Sequence, residues 1–178
     1  GLHLEVPADV FTQVHAAANP TLVAAVLALA PVSADARVLD LYCGAGNFTL
    51  PLARRAGHVL GIERDPLAVA AAEANAARTG LTRAAFRCAP VAAALRDVPA
   101  DSIDTAVLDP PRAGAAGALG ALIALRPRRL AYVSCDPATL ARDVKTLVAA
   151  GYQLGRVQPV DLFPQTYHIE SVAELRLT

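Results

Sequence analysis

Short apolar runs alternate with helical spacings along almost the whole chain. Residues 37–41, 58–62, 103–108 and 129–133 read as buried strands, and residues 84–87 as a weaker one. Helical spacing falls between them, over residues 48–56, 66–78, 115–125 and 137–150, with an earlier helix over 19–30 reached through the segment 6–15. Two of these helices carry their own start and stop signals. Asp65 and Pro66 fit the cap and first position of one, which Gly80 ends; Asp136 and Pro137 open another, which Gly151 ends. The last two apolar stretches, 152–161 and 169–177, follow one another with no helix between them. Strands that alternate with helices predict a parallel sheet covered on both faces. The two terminal strands must then pair antiparallel at or near one edge. The expected fold is α/β, with a seven-stranded, mostly parallel sheet and one antiparallel strand. No internal repeat, low-complexity linker or domain boundary interrupts the pattern, so residues 1–178 form one domain.

A chain of 178 residues is long enough for a single continuous core. No run of about 18 uncharged apolar residues suggests a membrane span; the alanine-rich stretch 24–30 is too short and ends at Pro31. No signal-peptide pattern opens the sequence. The chain has no Met and begins Gly1-Leu2-His3, which reads as a fragment or a processed form of a longer protein. Cys43, Cys88 and Cys135 are odd in number and widely spaced. That argues against a disulfide scaffold or a zinc cluster and for a reducing cytoplasm. Net charge is zero, whereas a protein that holds a polyanion by its own charge is usually basic. Either much of any nucleic-acid surface lies elsewhere, or the protein never touches nucleic acid.

Ligands of open parallel sheets bind beyond the carboxyl ends of the strands, and every unusual segment falls at such an end. Asp40-Leu41-Tyr42-Cys43-Gly44-Ala45-Gly46-Asn47 follows the first strand. Gly44 and Gly46 permit a tight turn and close approach of a ligand to the backbone. Thr49 stands where a dinucleotide fingerprint has Gly or Ala, which disfavours a pyrophosphate cofactor. An acidic residue just before the glycines suits a cationic ligand such as S-adenosylmethionine, which carries a sulfonium and an ammonium. Glu63 ends the second strand and could accept both ribose hydroxyls. A glycine turn alone is as readily a plain strand-to-helix connection; Asp40 and Glu63 tip the balance toward a nucleotide-like ligand. Asp109-Pro110-Pro111-Arg112 follows the fourth strand, where paired prolines stiffen the chain. Asp109 there faces the cofactor or a base, or simply belongs to a rigid turn. Cys135 follows the fifth strand at the start of a helix, a position that favours a thiolate. Cys43 and Cys88 are expected to be buried and inert.

These segments carry a resemblance that covers essentially the whole chain. Phe11-Thr12-Gln13-Val14, the glycine segment through Phe48-Thr49, Asp109-Pro110-Pro111-Arg112, Ser134-Cys135-Asp136-Pro137 and Phe163-Pro164-Gln165-Thr166-Tyr167-His168-Ile169-Glu170 occur in that order. In this the chain resembles the catalytic domain of the RNA (uracil-5-)-methyltransferase family. The form of the first and fourth segments is nearer to ribosomal-RNA than to transfer-RNA members. The resemblance implies a Rossmann-like fold, S-adenosylmethionine as cofactor and an RNA substrate. It implies Cys135 as nucleophile and Glu170 in proton removal or product release. It implies that Gln13, Tyr42, Glu63 and Asp109 contact the cofactor, with Asn47 a further candidate beside Gly44 and Gly46. His168 would be structural or base-contacting, with proton transfer as the alternative. Ala89-Pro90 departs from the family, which often has Asp or Asn near the adenine; a proline side chain cannot bond the adenine amine. The family's N-terminal RNA-binding part lies outside this sequence. A monomer without metal is expected.

A thiolate has a clear purpose in such chemistry. Uracil C5 is a poor nucleophile; addition of sulfur to C6 converts the ring to an enolate whose C5 can attack a methyl group. The target base must leave its stack to expose C6. Three other readings compete. An amino-methyltransferase of nucleic-acid bases would place an aromatic residue where Arg112 stands. A noncatalytic cofactor-binding or RNA-scaffold module would bind S-adenosylmethionine and trap no substrate. A nicotinamide dehydrogenase is disfavoured by Thr49.

Overall fold

The computed structural model describes residues 2–10, 17–162, 165–166 and 169–178. Helix α1 (Asn19–Leu29) precedes an alternation of β1 (Arg37–Leu41), α2 (Thr49–Ala53), β2 (His58–Glu63), α3 (Pro66–Thr79), β3 (Ala84–Cys88) and α4 (Val91–Ala94). A single 3-10 turn (Leu95–Asp97) leads to β4 (Thr105–Leu108), α5 (Ala116–Leu125), β5 (Arg129–Ser134), α6 (Pro137–Ala149), β6 (Tyr152–Val160) and β7 (Glu170–Leu177). The seven strands form one sheet in the order β3-β2-β1-β4-β5-β7-β6. Strand β7 pairs antiparallel with both β5 and β6, so it alone runs against the others, as the missing helix between the last two strands predicts.

Alternation along the strands sorts the core into two layers. Leu39, Leu41, Leu108, Leu130 and Tyr132 face α4, α5 and α6. Val38, Val59, Val107, Val133 and Val172 face α1 and α2. The predicted caps hold. Asp65 accepts from the Leu67 amide, and Gly80 closes α3 at φ 68°. Asp136 accepts from the Thr139 amide at the head of α6.

Two expectations need correction, and one short helix is unexpected. The helix expected over 48–56 is only Thr49–Ala53. The short helix α4 and its 3-10 continuation give too few residues to show a period, though Val91, Ala94 and Leu95 are buried. Cys88 is exposed, because β3 is an edge strand and Cys88 is its last residue.

Candidate active site

The register aligns the strand ends that matter. Leu41 of β1 lies beside Ile62 of β2 and Leu108 of β4, and Leu108 lies beside Tyr132 of β5. The segments after these strands therefore emerge on one edge of the sheet. There Tyr42 and Cys43 donate their amides to Ile62 O, Tyr42 at φ 64°. Gly44 and Gly46 follow at φ 52° and 93°. Glu63 is half-buried, and its carboxylate accepts from the Gly44 amide at 3.3 Å, from Arg64 at 2.7 Å and from Asp65 at 3.0 Å. Asn47 exchanges amide hydrogen bonds with Asn19 at 2.7 and 3.1 Å. Tyr42, Gly44 and Asn47 line a cleft of about 990 Å³ that runs along α1 to Arg54 and Arg55.

Asp40 does not face this cleft. It is fully buried, and Thr49 Oγ1 donates to its Oδ2 at 2.5 Å. Alternation sends it to the same face as Val38, where α2 meets it. In a dinucleotide fingerprint the residue at the place of Thr49 is small so that helix and strand can pack closely. Here the small residue is Gly61 on β2: a Cβ there would stand 2.8 Å from Cys43 Sγ and 3.0 Å from Thr49 Oγ1.

Burial pushes the Asp40 carboxyl up to about 7; the Thr49 hydrogen bond opposes this, and the charges of Asp109 and Glu63 add to it. The folded protein thus holds a proton that the unfolded chain releases near the ordinary carboxylate range. Stability from this source is present at low pH and falls as pH rises from about 4 through about 7, by up to about 4 kcal/mol. Denaturation measured at pH 5 and pH 8 should show a clearly smaller pH difference in Asp40→Asn than in the parent. Equal differences would place the proton elsewhere.

On the other side of the edge stand Asp109, Cys135 and Glu170. Ser134 of β5 pairs with Ser171 of β7, and one further step in this antiparallel register sets Cys135 beside Glu170. Glu170 is 4 % exposed, and burial, then the charge of Asp109, raises its carboxyl to about 7. The half-buried Cys135 thiol is pushed up, first by burial and then by Glu170, with Asp109 adding and Arg112 opposing. The expected lowering by a helix N-terminus is therefore overturned. Helix α6 starts two residues later, Pro137 has no amide to offer, and the Asp136 carboxylate already takes the Thr139 amide. Burial first, and then the two carboxylates near the sulfur, outweigh what remains of the dipole. Arg112 pairs with Asp136 at 3.4 Å across the mouth of the site.

Gln13 and His168 lie outside the described residues. The segment leading to Gln13 is nevertheless anchored by residues that the sequence reading passed over. Asn75, 1 % exposed, donates to Glu5 O and accepts from the Glu5 amide, both at 2.9 Å, and also reaches Ala45 O. Arg78 bonds His3 O and the Asn75 side chain. The signal for Asn75 is a lone amide on the buried face of an alanine-rich helix.

A sequence model described as tRNA (Uracil-5-)-methyltransferase matches residues 2–177. The chain belongs to this family. Relatives named 23S rRNA (uracil(1939)-C(5))-methyltransferase RlmD are 45 % identical over 175 residues in Aeromonas salmonicida and 46 % over 178 residues in Edwardsiella ictaluri. Each alignment covers 97 % of this chain and 40 % of the relative. The crystal structure of the Pyrococcus abyssi tRNA (uracil-54, C5)-methyltransferase in complex with S-adenosyl-L-homocysteine superposes with a TM-score of 0.81 at 34 % identity, over 94 % of this chain and 40 % of that one. Identity is higher to the ribosomal-RNA members, in line with the sequence reading. The fold is that of the S-adenosylmethionine-dependent methyltransferases. The chain spans about 40 % of the length of these relatives.

Proposed function

We propose that the protein to which this domain belongs methylates C5 of a uridine in ribosomal RNA, with S-adenosylmethionine as donor and a covalent Cys135–C6 bond as intermediate. The observation that carries the reading is the meeting of Asp109, Cys135 and Glu170 on the edge that also holds the glycine turn. The turn suits the cofactor. Gly44 presents open backbone, Gly46 closes the turn behind it by donating its amide to Cys43 O, and Glu63 offers carboxylate oxygens at the end of β2. Asp40 places a buried carboxyl group behind the turn, with one oxygen unpartnered among the described residues, and does not face the cleft. Gly44, Gly46 and Glu63 would hold the nucleoside part, with Tyr42, Asp109 and Gln13 toward the methionine end and Asn47 on the rim. The cofactor supplies an electrophilic methyl group.

Cys135 adds to C6 of the flipped-out uracil, and the ring's electrons then make C5 nucleophilic. After C5 has taken the methyl group, Glu170 accepts the C5 proton, and its raised pKa lets it take up a proton near neutral pH. The electrons of that C–H bond restore the ring double bond and expel the Cys135 thiolate. Such chemistry needs a free thiol, which fits a reducing cytoplasm. With no net charge in this domain, RNA affinity comes chiefly from the rest of the protein.

Mass spectrometry of the full-length protein incubated with S-adenosylmethionine and 5-fluorouridine-substituted ribosomal RNA tests the reading. Fluorine at C5 blocks the last proton loss, so an adduct on the Cys135 peptide is expected; methylation of an exocyclic amine without an adduct would replace the proposal. Calorimetric titration tests the cofactor contacts. Each ribose hydrogen bond to the Glu63 carboxylate is worth about 1.5–3 kcal/mol, so Glu63→Ala should weaken S-adenosylmethionine binding at least about tenfold. Unchanged affinity would show that the ribose lies elsewhere.

A further inference from the structure

Behind the Cys135 edge lies a buried polar cluster that the proposed chemistry does not use. Tyr132 of β5 is 0 % exposed and Asp143 of α6 is 1 % exposed. The Tyr132 hydroxyl donates to Asp143 Oδ2 at 2.6 Å. The Ala115 amide donates to the same oxygen at 2.8 Å and reaches the tyrosine oxygen at 3.1 Å. Arg142 Nε donates to Asp143 Oδ1 at 2.9 Å, and Arg142 Nη2 donates to Ala113 O at 2.8 Å. Gly114 stands between these two ties at φ 82°, where a Cβ would lie 2.5 Å from Arg142 Nη2 and Asp143 Oδ2.

The loop after β4 is tied at Asp109 by its amide to Leu41 O and at Arg112 by the ion pair with Asp136, but its turn has few backbone donors of its own. Pro110 and Pro111 have no amide hydrogens. Gly114 closes the turn on Pro111 O at 2.7 Å, and the ties at Ala113 and Ala115 both end on neighbouring residues of α6. Asp109 begins this loop; Tyr132 lies three residues before Cys135, and α6 begins two residues after it. One carboxylate therefore joins the Asp109 loop to both elements that flank the nucleophile. An ion pair that buries one of its partners, as Asp143 is buried beside the half-exposed Arg142, is a poor source of stability, since apolar residues of similar volume often pack as well. Apolar residues, however, cannot fix an amide and a hydroxyl in direction.

We infer that Asp143 is a positioning residue, which through Ala115, Tyr132 and Arg142 sets the spacing between the Asp109 loop and Cys135. The inference rests on the proposed roles of Asp109 and Cys135. Misplacement of reacting groups by about 1 Å can cost about a hundredfold in rate.

The test uses the full-length protein with ribosomal RNA and compares single-turnover methyl transfer, S-adenosylmethionine affinity and thermal stability. Asp143→Asn presents an amide NH2 to groups that are themselves donors. It should slow transfer about a hundredfold while cofactor affinity stays within about threefold. Tyr132→Phe, which removes one hydroxyl and no charge, should slow it about three- to tenfold. Replacing Asp143 and Arg142 together by Leu removes the ion pair but leaves the buried Tyr132 hydroxyl and the Ala115 amide without their shared acceptor, so transfer should stay slow whatever the melting temperature. Transfer that recovers with stability in this double variant would make the cluster merely structural and overturn the inference. Should the double variant not fold, a parental rate in Tyr132→Phe overturns it. Cys135→Ala is run beside these. Transfer that survives there withdraws the proposed function and this inference with it. Transfer lost there but unchanged in Asp143→Asn overturns the positioning role alone.

Discussion

Cys135→Ala should abolish methyl transfer, by about four to six orders of magnitude, the scale seen when an enzyme loses its nucleophile. No alternative thiol can take its place: Cys43 is buried in the glycine turn and Cys88 lies at the outer edge of the sheet on β3. Cofactor affinity should change little, since the turn from Tyr42 to Gly46 and Glu63 are untouched. The decisive measurement is transfer of radiolabel from S-adenosylmethionine to RNA, with adduct formation on 5-fluorouridine RNA as a second reading. An adduct formed by the Cys135→Ala protein would reject this residue as nucleophile. The thiol's raised pKa adds a pH expectation. The rate of adduct formation should climb as pH rises through the alkaline range, because burial, Glu170 and Asp109 all disfavour the thiolate.

Glu170→Gln should fail at a later step. Attack and methyl transfer proceed, and the adduct then waits for loss of the C5 proton. Turnover should fall by about 10²–10⁴, the usual worth of a positioned general base. A radiolabelled protein–RNA species should accumulate and survive a denaturing gel. In the parent, turnover limited by proton removal should increase with pH through about 7 as Glu170 ionises, and the variant should lose that limb. Full turnover with no trapped species would make the carboxylate structural and pass its task to His168 or to water. The substitution should also be tolerated by the fold. Glu170 is a buried carboxyl with a raised pKa, so its charge costs stability as pH rises past the unfolded value near 4.5.

Much of the architecture can be read from the chain because local rules agree with the global pattern. Asp65-Pro66 and Gly80 bound α3, and Asp136-Pro137 opens α6, since caps depend on neighbours in sequence. The missing helix between β6 and β7 announces the reversed strand. Features that depend on three-dimensional neighbours are less legible. Asp40 reads as a ligand-facing carboxylate, but its side of the strand is fixed by the pleat and its partner is Thr49 on α2. Cys135 reads as activated by a helix, but whether it is depends on who caps that helix and on Glu170, which comes from 35 residues further along the chain. Asn75 reads as an ordinary helix residue until the segment it holds, around Glu5, is seen folded over it. The carboxylate of Asp143 has no signature in sequence, because its partners Tyr132 and Ala115 lie on two other elements.

The place of β7 bears on how the protein is made. Synthesis delivers β6 before β7, yet β7 occupies the position between β5 and β6. Strand β6 emerges from the ribosome before β7, its neighbour in the sheet among the described residues. The free edge of β5, with Cys135 just beyond it, must also wait for β7. Pairing across such separations is slow, because the loop must close before any contact rewards it. Strand β7 completes both ladders and brings Glu170 beside Cys135. A nascent chain therefore has a complete glycine turn before it has its base. On the proposed mechanism it would hold cofactor before it could release a methylated product. In chains arrested after β6, cofactor binding should be detectable while turnover is absent.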